Sequence, residues 1–178
     1  PTVDTPNLLT AQHAVGDAAG ARDYVARLAA FPAVLDGALA KLQGDVALGA
    51  IPPDFLIDKT RAVVDAFAAV PAAEQPLVTS FRTRLATAKV EGADAFVAQA
   101  QALVGDGVIP TYRRISAYLA TIRPQAPHDA GIWRLPNGDA LYRATIRQMT
   151  DVERDPAEVH RIGLEEVARI GAEMDALL

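Results

Sequence analysis

Along most of this chain apolar residues recur at steps of three and four, the spacing that lines one face of an α-helix. Tyr24 and Leu28 share such a face in a predicted helix over residues 19–30, which Phe31-Pro32 interrupts. Pro32 then falls near the first turn of a second helix, where its missing N–H costs nothing. Leu35, Leu39, Leu42 and Val46 carry that helix to a stop at Gly49. Ile51-Pro52-Pro53-Asp54 punctuates the chain again. Leu56, Thr60, Val63, Phe67 and Val70 form the next stripe, with Asp58, Arg61 and Asp65 on the solvated side. After a loop over 71–76, Leu77, Phe81, Leu85 and Ala88 mark a further helix, which Gly92 breaks and Phe96, Ala100 and Leu103 restart. Val108, Tyr112, Ile115, Leu119 and Ile122 repeat the spacing, but the stripe begins before Pro110. Either a new helix starts near Gly107, or one long helix kinks at Pro110. Residues 123–130 read as a loop that leaves His128 alone and exposed.

Residues 131–150 hold the only tryptophan and the densest turn chemistry. Pro136-Asn137-Gly138-Asp139 predicts a turn, because proline presets φ and Asn and Gly tolerate positive φ. Asp139 is placed to accept from the free N–H groups of a following helix. Tyr142, Ile146 and Met149 predict that helix over 139–149. Ile132, Trp133 and Leu135 sit in a short extended arm, so arm and turn occupy 131–138. Trp133 either pins this arm onto the helices, or faces a ligand cleft together with Asn137 and Tyr142.

Asp155-Pro156-Ala157-Glu158 combines a capping Asp, Pro at the first helical position and Glu three residues after the cap. The helix it opens is predicted to reach Leu178 or beyond. Val159, Ile162, Gly163, Val167, Ile170, Met174 and Leu177 share one face, and Glu165, Arg169 and Glu173 form a ladder opposite. His160 and Glu166 intrude at the two edges of the apolar side. A half-buried imidazole or carboxylate needs a partner or shifts its pKa. These two are candidates for buried structural groups or for groups supporting an active site. Roughly 120° apart around one helix, they cannot ligate one metal together.

The pattern predicts an all-α fold, an irregular bundle of about six to eight helices. Residues 1–178 read as a single helical domain, weakly patterned over 1–18. Composition narrows the function. The chain has 17 basic and 22 acidic residues, a net charge of −5, and scattered basic positions. It therefore offers no stripe for nucleic acid. No apolar run reaches the roughly 18 residues of a membrane span. Cysteine is absent, which excludes disulfides and thiolate metal sites. His13, His128 and His160 are scattered and no HExxH occurs, so no zinc site or other cofactor is expected within the chain. The start at Pro1 without Met, and the stop inside a helix signal, read as cuts from a larger protein.

IPPDFLIDKT, VIPTYRRISAYLATIRP, GIWRLPNGDALYRATIRQMT and PAEVHRIGLEEVARIGAEM follow one another in an order that resembles the bacterial domain of unknown function 885 family. The likeness covers residues 50–178; the first fifty match only in helical character. Family members are much longer, mostly helical, and taken to be zinc metallopeptidases of the gluzincin type, with an HExxPGH-like motif downstream of the matched segment. The resemblance implies a chain N-terminal to the catalytic helix, so no zinc ligand and no catalytic glutamate carry over. Pro136, Gly138, Tyr142, His160, Gly163 and Glu166 match the family's pattern without a known role. It further implies zinc and a peptide substrate for the parent protein, the rest of its own polypeptide as partner, and a periplasmic or secreted location.

Two functions follow. One is a non-catalytic helical portion of a zinc metallopeptidase-like protein, contributing cleft wall and supporting residues. The other is a helical module that binds proteins or peptides and does no chemistry. A helical domain cut from its partner exposes an apolar face, so the isolated chain is expected to self-associate.

Overall fold

The computed structural model describes residues 4–177, all helix, turn and loop, with no strand among them. The all-α expectation holds. The chain gathers into two compact units, residues 1–128 and 129–178.

The first unit opens with α1 (Asp4–Asn7), which runs into a π-helical turn, Leu8–Gln12. Then come α2 (Ala18–Ala47), α3 (Asp54–Ala69), α4 (Pro76–Thr87), α5 (Ala93–Leu103) and α6 (Ile109–Ile122). Asp17 caps α2, its carboxylate accepting from the Gly20 amide at 2.8 Å. α3 packs along α6, α4 against α5, and α2 against α5 and α6. Aromatic rings join these layers. Tyr24 stacks on Phe81 at 4.1 Å, and Tyr112 stacks on Phe67 at 4.1 Å with Phe31 edge-on at 6.4 Å. The Tyr24 hydroxyl donates to the Leu77 carbonyl at 2.8 Å. Burial pushes both Tyr24 and Tyr112 up to about 12, with Arg84 partly opposing it at Tyr24.

Three readings of this unit are corrected. Residues 18–47 form one helix, not two, and Pro32 lies inside it. An interior proline costs about 3 kcal/mol. Ala21, Tyr24, Leu28, Phe31 and Leu35 are all essentially fully buried on one continuous face. Each larger side chain among them contributes about 1.5–3 kcal/mol, so the face outweighs the proline. The stripe on α3 is turned by one residue: Ile57, Val64 and Ala68 are buried, whereas Leu56 and Val63 are about half exposed. The start of α3 explains the turn. The Asp54 amide donates to the Pro127 carbonyl at 2.8 Å, and Arg123 grips Asp58 with two bonds of 2.8 and 2.9 Å. Those ties direct Asp54 and Asp58 toward residues 123–128. His128 is exposed but not alone, its Nδ1 lying 2.9 Å from Asp54.

The alternatives at Pro110 resolve into a third arrangement. A π-helical turn, Val104–Val108, joins α5 to α6, and Pro110 falls in the first turn of α6. The wide turn accommodates the missing proline N–H. Gly107 lets the turn pass close to Pro32, since a Cβ would stand 3.1 Å from its Cγ and push the ring back by a few tenths of an ångström.

The second unit holds a 3-10 turn, Ile132–Arg134, followed by α7 (Gly138–Thr150) and α8 (Pro156–Asp175). Its buried residues, among those described, are Gly138 and Ile146. α8 ends in a turn over 176–177, short of the predicted end. Leu178 lies outside the described residues.

Candidate functional site

The site suggested by the sequence lies in the second unit, and its backbone is more constrained than a simple arm. Gly131 and Leu135 are extended, and the 3-10 turn sits between them. The Leu135 amide donates to the Ile132 carbonyl at 3.0 Å, and the Gly138 amide to the Leu135 carbonyl at 3.0 Å. Asn137 takes the left-handed conformation, φ 56°, as a turn Asn can. Gly138 serves a different purpose from the one its turn chemistry suggested. Its φ is not positive; instead a Cβ there would stand 2.2 Å from the Ile132 carbonyl oxygen. The turn therefore closes directly on the first residue of α7. The extended arm is corrected accordingly, and so is Asp139. The helix starts at Gly138, which places Asp139 inside its first turn, not at a side-chain cap.

Trp133 is 68% exposed, and its indole folds back over Gly131, where a Cβ would meet Nε1. The turn that carries it packs on α7. Tyr142 is 45% exposed and Asn137 is exposed. Neither a hydrogen bond nor a ring contact joins Trp133, Asn137 and Tyr142 among the described residues. His160 and Glu166 are both exposed, which corrects the half-buried expectation. Glu166 accepts from Arg169 at 2.7 Å, and Arg169 also reaches Glu173 at 2.6 Å. The five residues are thus not brought into one constellation.

Beside α7 and the loop after it lies a groove of about 820 Å³, lined in part by Arg143, Arg147, Asp151, Glu153, Arg154 and Asp155. Its cations are paired: Arg143 with Asp155 at 2.7 Å, Arg147 with Glu153 at 2.9 Å, Arg154 with Glu158 at 2.9 Å. Asp155 caps α8 through the Ala157 amide at 2.9 Å while holding Arg143, so one carboxylate ties the two helices. The hydrogen bond from Arg143 and then that amide hold its carboxyl below the usual value. Glu158 turns to Arg154 and leaves the capping box half made. The sequence did announce this groove, in Arg143 and Arg147 four apart and Asp151 and Asp155 four apart. It acts as a clasp, with no nucleophile beside a base.

The larger feature is α8 itself. None of its residues is buried, and Leu164, Val167, Ile170 and Met174 are 45–72% exposed. Gly163 falls at the centre of the stripe made by Val159, Val167, Ile170 and Met174. Around Gly163 and Gly171 a Cβ would meet nothing within 4 Å. Among the described residues no three His, Asp or Glu side chains gather as a metal would need.

Over residues 1–178 the chain matches the family described as bacterial protein of unknown function (DUF885), and it belongs to that family. The match takes in the first fifty residues, beyond the segments that carried the resemblance. The fold is similar to a crystal structure from Colwellia psychrerythraea of a protein described provisionally as a lipoprotein. Identity is 27%, the TM-score is 0.86, and the match covers 98% of this chain and 30% of that one. This chain therefore spans less than a third of that protein's length. No curated protein matches it. No described helix is long and apolar enough to cross a membrane.

Proposed function

We propose that this chain is a non-catalytic helical portion of a longer zinc metallopeptidase-like protein, and that α8 is where it packs against the rest of its own polypeptide. The observation that carries the reading is the apolar face of α8 with a glycine at its centre. A mid-helix glycine costs about 1 kcal/mol relative to alanine, and no described residue packs over Gly163 to repay it. A second element approaching closely over Gly163 does. The relative of similar fold has a chain more than three times as long as the match, long enough to hold such an element. On this reading the zinc, its ligands and the groups acting with it belong to the remaining polypeptide. Trp133, Asn137 and Tyr142 contribute to the wall of a peptide cleft, and His160 and Glu166 support it from α8. The setting is periplasmic or secreted, in keeping with the lipoprotein description of that relative.

The test compares the 178-residue chain with a longer polypeptide continuing beyond Leu178. The longer form is expected to hold one zinc per chain and to cleave peptides, and the short form to do neither. Peptide cleavage by the short form, after controls for contaminating proteases, overturns the reading. A longer form that binds a protein or peptide without cleaving it favours the alternative, a helical scaffold module.

A further inference from the structure

The first unit contains a hollow of about 500 Å³, lined in part by Leu8, Leu9, His13, Arg27, Phe31 and Val34. It lies between the π-helical turn Leu8–Gln12 and the first half of α2. Its apolar wall is part sealed and part open. Leu9 and Phe31 are buried, whereas Leu8 and Val34 are each 50% exposed. The volume is in the usual range for small-molecule sites, about 300–1,000 Å³.

Its polar corner is held in one arrangement. His13 Nε2 lies 2.9 Å from the Gly20 carbonyl, which can only accept, so this nitrogen carries the hydrogen. His13 Nδ1 lies 2.8 Å from an Arg27 terminal nitrogen, which can only donate, so Nδ1 presents its lone pair. Tyr24 backs the imidazole edge-on at 5.4 Å. From α4, Arg84 donates to the His13 carbonyl at 2.6 Å and to the Leu9 carbonyl at 3.1 Å. Arg84 thereby spends its donors on backbone and fixes the end of the turn. Arg27 does not: one N–H goes to the imidazole, and no described carboxylate lies within ion-pair distance. An imidazole lone pair orients the guanidinium without cancelling its charge. Asp23, exposed one turn back on α2, is the nearest acid in sequence, and no ion pair joins it to Arg27 among the described residues.

Arg27 is exposed at the rim, its guanidinium oriented by the imidazole, and a cation beside an apolar hollow complements an anion with an apolar body. Carboxylates match the guanidinium fork with two parallel hydrogen bonds. We propose that this hollow binds a small apolar carboxylic acid as its anion, the carboxylate on Arg27 and the hydrocarbon against Leu8, Leu9, Phe31 and Val34. The hollow is built from residues of the first unit and α8 belongs to the second, so the proposal holds or fails independently of the function proposed above.

Decanoate, decanol and decylammonium are the probes, titrated into the 178-residue chain and followed by the methyl resonances of Leu8, Leu9 and Val34. Decanoate is expected to bind saturably and shift those methyls, with decanol about tenfold weaker or worse, and decylammonium weaker still. Arg27→Gln is expected to weaken decanoate about tenfold or more with its circular dichroism unchanged, whereas Arg161→Gln, an exposed arginine of α8, leaves the affinity alone. Equal binding of acid and alcohol overturns the proposal, as does an unaffected Arg27→Gln or the absence of saturable binding to folded protein. A short peptide with a free C-terminal leucine that binds about tenfold tighter than decanoate also overturns it, by making a chain terminus the occupant.

Discussion

Replacing Gly138 with alanine adds one carbon at the tightest point of the second unit. The new Cβ would stand 2.2 Å from the Ile132 carbonyl oxygen and 3.0 Å from both the Ile132 carbonyl carbon and Trp133 Cα. All three are backbone atoms, so no side chain can swing aside. The 3-10 turn must withdraw by about 0.8 Å before the closest contact relaxes even to 3.0 Å. That movement breaks the Leu135-to-Ile132 bond, now 3.0 Å, and strains the Gly138-to-Leu135 bond, also 3.0 Å. Two such bonds are worth about 0.5–1.5 kcal/mol each. Alanine's better helix propensity returns at most about 1 kcal/mol. The turn is thus loosened by about 1–2 kcal/mol, or roughly tenfold in local opening. Amide hydrogen exchange at Leu135 and Gly138 reads this directly. Gly163→Ala is the control, because its Cβ meets nothing; it should leave Leu135 protection unchanged and stiffen α8. Unchanged protection at Leu135 in Gly138→Ala refutes the close-approach argument.

Three further outcomes are expected. Tyr24→Phe removes the buried donor to the Leu77 carbonyl and should destabilise the first unit by about 1–2 kcal/mol in urea titrations; a loss below about 0.3 kcal/mol means that the bond contributes nothing net. Asp155 has its folded pKa lowered, by the Arg143 hydrogen bond first. Its contribution to the α8 start is therefore present above about pH 4 and lost as pH falls through the lower folded value, so Ala157 amide protection should drop there and Asp155→Asn should remove the pH dependence. Protection that stays level to about pH 2 would speak against this cap. The isolated chain should self-associate through α8, and the double variant Val167→Glu, Ile170→Glu should abolish this in light scattering; a wild-type chain that stays monomeric at high concentration counts against the exposed face as a sticky surface.

The helices were largely legible because their evidence is local. Leu77, Phe81 and Leu85 lie a turn apart, and Asp155-Pro156 writes a helix start in two residues. Pro32 misled because a strong local breaker hid a burial pattern, Tyr24 to Leu35, that runs straight through it. The azimuth of α3 was out of reach for a different reason: Arg123 fixes it from 65 residues away. The same holds for Arg84, which clamps the Leu9 carbonyl across 75 residues. At the candidate site, the residues near Gly138 were correctly singled out as a turn, but the need for glycine came from a through-space contact that no spacing encodes. His160 and Glu166 were expected to be half-buried because a helical wheel reports amphipathicity only. It does not say whether the element that covers the apolar side belongs to the same stretch of chain.

Gly163→Leu probes whether a further element covers the apolar face of α8. In the 178-residue chain the new side chain enters open space and replaces a poor helix former, so thermal stability should stay level or rise by a few degrees. In the longer polypeptide the same side chain should wedge α8 away from the element packed over it and lower the unfolding temperature by several degrees. A Gly163→Leu substitution that is neutral or stabilising in both forms would contradict the claim that the rest of the polypeptide covers this face.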